Sequence, residues 1–131
     1  MEYEMENIDK EELIYRYVES YNAKDVDGMM KCVIEDVVFR NVAGNVVNME
    51  VYGMTSLREL AEKTKDLFRT RKQGIKKIDF QGDLVRVDIT FDAEFGIDLP
   101  NGVKAGDKMS VEGYTEFTFT DGLISSISDC A

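Results

Sequence analysis

Histidine is absent from the 131 residues, so any proton transfer has to fall to carboxylates, tyrosines, lysines or thiols. Imidazole is the side chain that titrates near neutrality unperturbed, and without it there is no Ser-His or Cys-His pair and no imidazole metal ligand. A few positions stand out by residue type and spacing. Val37, Phe39 and Asn41 share one side of a strand-like run, which puts the Asn41 amide at the end of an apolar row. Thr115 interrupts the apolar row Val111, Gly113, Phe117, Phe119 in the same way. An unpaired polar group on a dry face costs about 1–3 kcal/mol. Each of the two therefore bonds to backbone or to its neighbour, or orients a ligand, and both readings stay open. Tyr17 lies on the apolar face of a helix, where its hydroxyl needs either a structural partner or a bound molecule. Acid–base work needs an inward carboxylate with a raised pKa. Asp129 shares parity with Leu123 and Ile127 and is the best available, although a salt bridge or solvent is the expectation at the chain end. Glu50 comes next; its in-phase neighbours Asn48 and Tyr52 are polar, so it reads as a wet strand face or the rim of a pocket.

Other chemistries fail on spacing. Asp25-Val26-Asp27-Gly28 suggests a calcium loop, but Met29 and Met30 stand where a ligand and the turn glycine belong, so it reads as a helix cap. There is no zinc spacing, no phosphate-binding glycine loop and no nucleotide fingerprint, so no metal or cofactor is expected. Cys32 and Cys130 lie far apart and read as reduced thiols of a cytoplasmic protein.

The charge balance narrows the partners. Sixteen Lys and Arg against 26 Asp and Glu leave −10, which disfavours nucleic acid and anionic membrane surfaces. No apolar run exceeds three residues, so nothing reads as a bilayer span, and the acidic start lacks the pattern of a signal peptide. The length fits a single domain over residues 1–131, with 1–7 as a frayed tail.

The elements that must position these side chains follow from periodicity. Asp9 to Glu12 has the spacing of a capping box, and Leu13, Ile14, Tyr17, Val18 and Tyr21 then recur at helical spacing. Asp25 caps a second helix with Val26, Met29, Met30, Val33 and Ile34 on one side, completing a helical hairpin. Strand-like sequence at 37–41, a turn at 43–45 and a strand at 46–52 lead to a third helix, capped by the box Ser56 to Glu59. The basic stretch Arg69 to Lys77 reads as a solvated helix end and loop. Beyond residue 75 the pattern is antiparallel sheet, clearest where Val85, Val87, Ile89, Phe91, Ala93 and Phe95 alternate with polar residues. The fold class is α+β, helices first and then a long curved sheet packed on them.

The segment Tyr15 to Gly28 resembles the N-terminal helical hairpin of the nuclear transport factor 2-like superfamily, on the branch with ketosteroid isomerases and SnoaL-like polyketide cyclases. Glu35-Asp36-Val37, Gly53 and Phe119 to Ile124 continue the resemblance, which covers roughly residues 9–129. It implies a cystatin-like cone with a curved mixed, mainly antiparallel sheet and a pocket between sheet and helices. The acidic row Asp88, Asp92, Glu94, Glu112, Glu116 is either simply solvated or, as the outer sheet face often is in relatives, a homodimer face. Tyr17 matches the oxyanion-stabilising tyrosine of the isomerases. Asn41 stands at their general-base position and Thr115 at that of their protonated aspartate. An amide cannot take a proton and a threonine is a weaker donor than a carboxylic acid, which argues against ketosteroid isomerase catalysis. The leading expectation is a binder of a small hydrophobic molecule, lined by Tyr17, Phe39, Asn41, Val87, Ile89, Phe91, Thr115 and Phe117. The alternatives are a cofactor-independent cyclase, isomerase or dehydratase acting on a carbonyl, and a protein-interaction module marked by a large exposed apolar patch.

Overall fold

A computed structural model describes residues 5–131. Helix α1 (Asn7–Asn22) starts before the expected cap. Glu6 is the N-cap, and its backbone N–H donates to Asp9 Oδ2 at 3.0 Å, which makes Asp9 the third residue of the first turn. The expected tail at 1–7 is thus helical at Asn7, and its first four residues lie outside the described ones. Leu13, Ile14, Tyr17 and Val18 are the buried face of α1. Lys24 takes a left-handed turn at φ 57°, and the Asp25 N–H reaches back to Ser20 O at 2.8 Å. That reversal sets α2 (Val26–Met30) against α1, capped as expected by Asp25 Oδ1 accepting from Gly28 N–H at 3.0 Å.

Helix α2 ends before Val33 and Ile34, which instead open β1 (Val33–Ala43). Their branched side chains suit a strand, and the Ile124 N–H donates to Cys32 O at 2.8 Å where parallel pairing begins. A turn through Gly44 and Asn45, both at positive φ, leads to β2 (Val46–Tyr52). The next helix, α3 (Met54–Lys65), begins two residues before the expected box. Gly53 is its cap at φ 87°, a conformation that favours glycine, and the Gly53 N–H is tied to Val37 O at 2.7 Å. Leu57 and Ala61 face inward.

The stretch expected as helix end and loop is the first half of β3 (Phe68–Gln81). It forms an edge of the sheet, where lysines guard against further pairing. Three more strands complete the sheet, β4 (Leu84–Phe95), β5 (Lys108–Thr120) and β6 (Leu123–Cys130). The six-stranded order is β2-β1-β6-β5-β4-β3, with only the β1–β6 pair parallel. The helices lie on one face, and Ile14, Val37, Val85, Val87 and Ile124 are fully enclosed between the layers. The other face carries Arg69–Glu94, Lys76–Glu112 and Arg86–Asp88 ion pairs. No helix among the described residues is long and apolar enough to cross a membrane.

Candidate functional site

Strand register puts the sequence candidates on one rung. Asn41 of β1 pairs with Asp129 of β6, Asp129 with Thr115 of β5, and Thr115 with Val87 of β4. Directly paired residues share a face, so the amide, the carboxylate and the hydroxyl stand side by side on the face that the helices cover. Thr115 is 3% exposed, and its Oγ1 donates to Asp129 Oδ1 at 2.8 Å. Thr115 therefore bonds its neighbour, and that neighbour is an acid. Of the salt bridge or solvent expected at Asp129, the salt bridge is not formed: among the described residues no cation pairs with it, and the side chain is partly exposed. Asp129 is half-buried, and the carboxylate oxygen that Thr115 does not hold lies at its accessible edge. Burial pushes its pKa up to about 6, against the smaller lowering effect of the Thr115 bond.

Tyr17 faces this rung from α1. It is 6% exposed, and its ring meets Phe117 edge-on at 6.1 Å and 78°. Burial raises its phenol pKa, with the Asp129 charge next in size and Arg71 opposing. No hydrogen bond joins the Tyr17 hydroxyl to any other described residue.

Arg71, in the stretch expected as loop, points inward from β3 and is 6% exposed. Its Nε and Nη2 donate to Tyr21 O at 3.2 and 3.0 Å, and the guanidinium carbon stacks 3.8 Å from the Tyr21 ring centroid. Its Nη1 is buried without a partner. Asn22 clamps the same helix end to β3, donating to Gln73 O at 3.0 Å and accepting from Gln73 N–H at 2.8 Å. The signal for Arg71 was its parity with Gln73 and Ile75, legible once β3 is known to start at Phe68.

The remaining candidates divide. Val87 and Phe117 are closed into the core, Ile89 is 9% exposed, and Phe39 and Phe91 are half-buried beside them. Much of the expected lining is thus core packing, and the accessible end is marked by Phe91, Asp129 and the exposed Asn41. Glu50 lies away from the site. It pairs with Arg40 on the rung of opposite parity, with Arg40 Nε 2.5 Å from its carboxylate and Tyr52 donating to it. Those two bonds, Tyr52 first, lower its pKa, so it is a poor proton carrier near neutrality. A separate cavity of about 510 Å3, lined by residues including Thr70, Lys72, Asp92, Glu94 and Lys108, also touches Arg71, Ala93 and Met109, which share one rung. Among the described residues no three His, Cys, Asp or Glu side chains gather at metal-binding distance.

Three helices over a curved six-stranded mixed sheet, with polar groups on the enclosed face, define a nuclear transport factor 2-like α+β cone of the ketosteroid-isomerase kind. The chain belongs to the SnoaL-like domain family, whose profile matches residues 14–127. A search of curated protein sequences finds no match. Solved structures share the fold. AclR, a candidate hydroxylase from Streptomyces galilaeus, is 20% identical at a TM-score of 0.75, covering 95% of this chain and 89% of its own. A candidate SnoaL-like polyketide cyclase from Jannaschia sp. CCS1 is 15% identical at 0.77, covering 97% and 89%. An LEH-like epoxide hydrolase of M. tuberculosis is 16% identical at 0.75, covering 94% and 82%. Identities this low speak for fold alone, and the chemistries named for these proteins differ.

Proposed function

We propose that this chain is a cofactor-independent acid–base enzyme acting on a small hydrophobic carbonyl compound, with Asp129 as the proton-transfer group. The observation that carries this reading is a half-buried carboxyl on the helix-covered face, unpaired with any cation among the described residues and held by Thr115 at 2.8 Å, whose burial pushes its pKa up to about 6. A carboxyl with that midpoint is a competent base and a competent acid near neutrality. Asp129 takes a proton from the carbon beside the carbonyl. The C–H electron pair becomes a C=C bond, and the carbonyl π pair moves onto oxygen. The Tyr17 hydroxyl donates to that oxygen, and Thr115 holds the carboxylate in one orientation. Reprotonation at a different carbon completes an isomerisation. Attack of the enolate carbon on a second carbonyl completes a cyclisation, with the proton from Asp129 going to the new alkoxide. The polyketide cyclases named among proteins of this fold support the second outcome. Ketosteroid isomerisation with a base at Asn41 is not part of the reading, because an amide cannot accept the proton.

The test is deuterium exchange at the activated carbon of an aromatic β-diketone in D2O, monitored by proton NMR. The wild type accelerates exchange about a hundredfold or more over buffer, with a midpoint at about pH 6, and Asp129→Asn abolishes the acceleration. No acceleration, or an equally active Asp129→Asn, rejects the proposal. Binding without exchange would return the molecule to a carrier of hydrophobic compounds.

A further inference from the structure

Arg71 is a buried cation whose charge nothing described in the interior neutralises. It is only 6% exposed, and among the described residues it forms no ion pair. The titratable groups acting on it are Tyr21 and Tyr17, both phenols. Two of its nitrogens are spent on Tyr21 O, and Nη1 has no acceptor. Buried charges are ordinarily paired, and an orphaned charged donor is expensive. Tyr17 likewise has a hydroxyl without a described partner. The interior therefore holds two free donors, one of them cationic, and an acid on the rung of Thr115 and Asn41.

The surroundings suit an apolar body. Arg71 shares its rung with Ala93 and Met109, and the next rung holds Gln73, Phe91 and Val111. Met109 and Val111 are 37% and 40% exposed on the face that should be dry. The half-buried rings of Tyr21 and Phe91 tilt against each other at 6.3 Å over this end.

We propose that the site takes a compact apolar molecule bearing a carboxylate, one oxygen of which accepts from Arg71 Nη1. The apolar body rests on Phe91, Val111 and Met109. A guanidinium nitrogen without an acceptor, on a cation without an ion partner among the described residues, suits a carboxylate oxygen. One free nitrogen is too few for a phosphate dianion, which calls on more donors. The proposal names the substrate class of the acid–base site above, and it rests on that reading only for the chemistry after binding.

Calorimetric titration with naphthoate and with its neutral isostere naphthamide tests this directly. The wild type binds naphthoate about tenfold or more tighter than naphthamide. Arg71→Met brings the two affinities within about twofold, and Arg71→Lys retains part of the preference. Equal wild-type affinities, absence of binding by either probe, or an undiminished preference in Arg71→Met overturns the proposal. If Arg71→Met does not fold, because the clamp on Tyr21 O is lost, the wild-type ratio and Arg71→Lys still decide. Failure of deuterium exchange with the naphthoate preference intact removes the enzymatic reading and leaves this one standing.

Discussion

Asp129→Asn should make the protein more stable with rising pH, relative to wild type, while removing its chemistry. A carboxyl whose midpoint rises from 3.8 to about 6 on folding costs the folded state about 3 kcal/mol once both states are ionised. The sign comes from proton counts. Below the unfolded midpoint the group is protonated in both states and costs nothing. Between the two midpoints the folded state holds more proton than the unfolded, so wild-type stability falls as pH rises. Above about pH 6 the full penalty is present. An asparagine is neutral throughout, and its amide oxygen still accepts from Thr115. Its NH2 group adds a cost of about 1–3 kcal/mol if left unpaired, but that offset does not vary with pH. The measurement is urea unfolding of both proteins from about pH 4 to about pH 8, taking the difference at each pH so that the other carboxylates cancel. The variant gains about 3 kcal/mol on wild type across that range, most of it by about pH 7. A difference that stays flat would mean Asp129 titrates like a solvated carboxyl, and the acid–base reading would fall with it.

Three further outcomes derive from the same geometry. Thr115→Val removes the bond that lowers the Asp129 pKa, so the pH–rate midpoint moves above about 6; a midpoint that stays or falls contradicts the positioning role. Tyr17→Phe keeps the edge-on contact with Phe117 and so leaves the melting temperature within a few degrees. Exchange slows about a hundred- to thousandfold if its hydroxyl is the oxyanion donor, and an unchanged rate assigns Tyr17 to packing alone. Phe117→Ala opens a cavity where a 2% exposed ring stood and costs about 3–5 kcal/mol in chemical denaturation; a loss under about 1 kcal/mol would mean the rungs around Asp129 are not tightly packed.

The strands were legible where one face is dry. Val85 to Phe95 alternates without a slip, and β4 spans those residues with one residue added at its start. Helix starts were less so, because caps depend on what the preceding chain touches. Gly53 caps α3 through its tie to Val37 O, a contact absent from any local pattern, and Ser56 to Glu59 lost to it. The basic run from Arg69 misled for a related reason. Lysines on an edge strand look like a solvated loop until the sheet order shows which strand is the edge. Parity alone pointed Asp129 inward, but the choice between solvent and burial needed the parallel β1–β6 pairing, which sets the chain end in the middle of the sheet. Arg71 was hidden behind its neighbours of like charge. Only register separates an arginine that stacks on Tyr21 from the exposed Arg69 and Lys72.

That register also explains how an acid can serve here with no imidazole in the chain. By the resemblance, the isomerases carry acids at the positions of Asn41 and Thr115, and both are neutral in this chain. The two flank Asp129 on a single rung, so the missing charge is replaced by one carboxyl between an amide and a hydroxyl. Two acids side by side would raise one another's pKa by repulsion. A lone acid has only its burial to raise it and only Thr115 to restrain it. Those two opposed effects leave its midpoint at about 6, close to where histidine titrates. A chain carrying −10 thus keeps nearly all of its acids in solvent and one where proton transfer at neutral pH is physically possible.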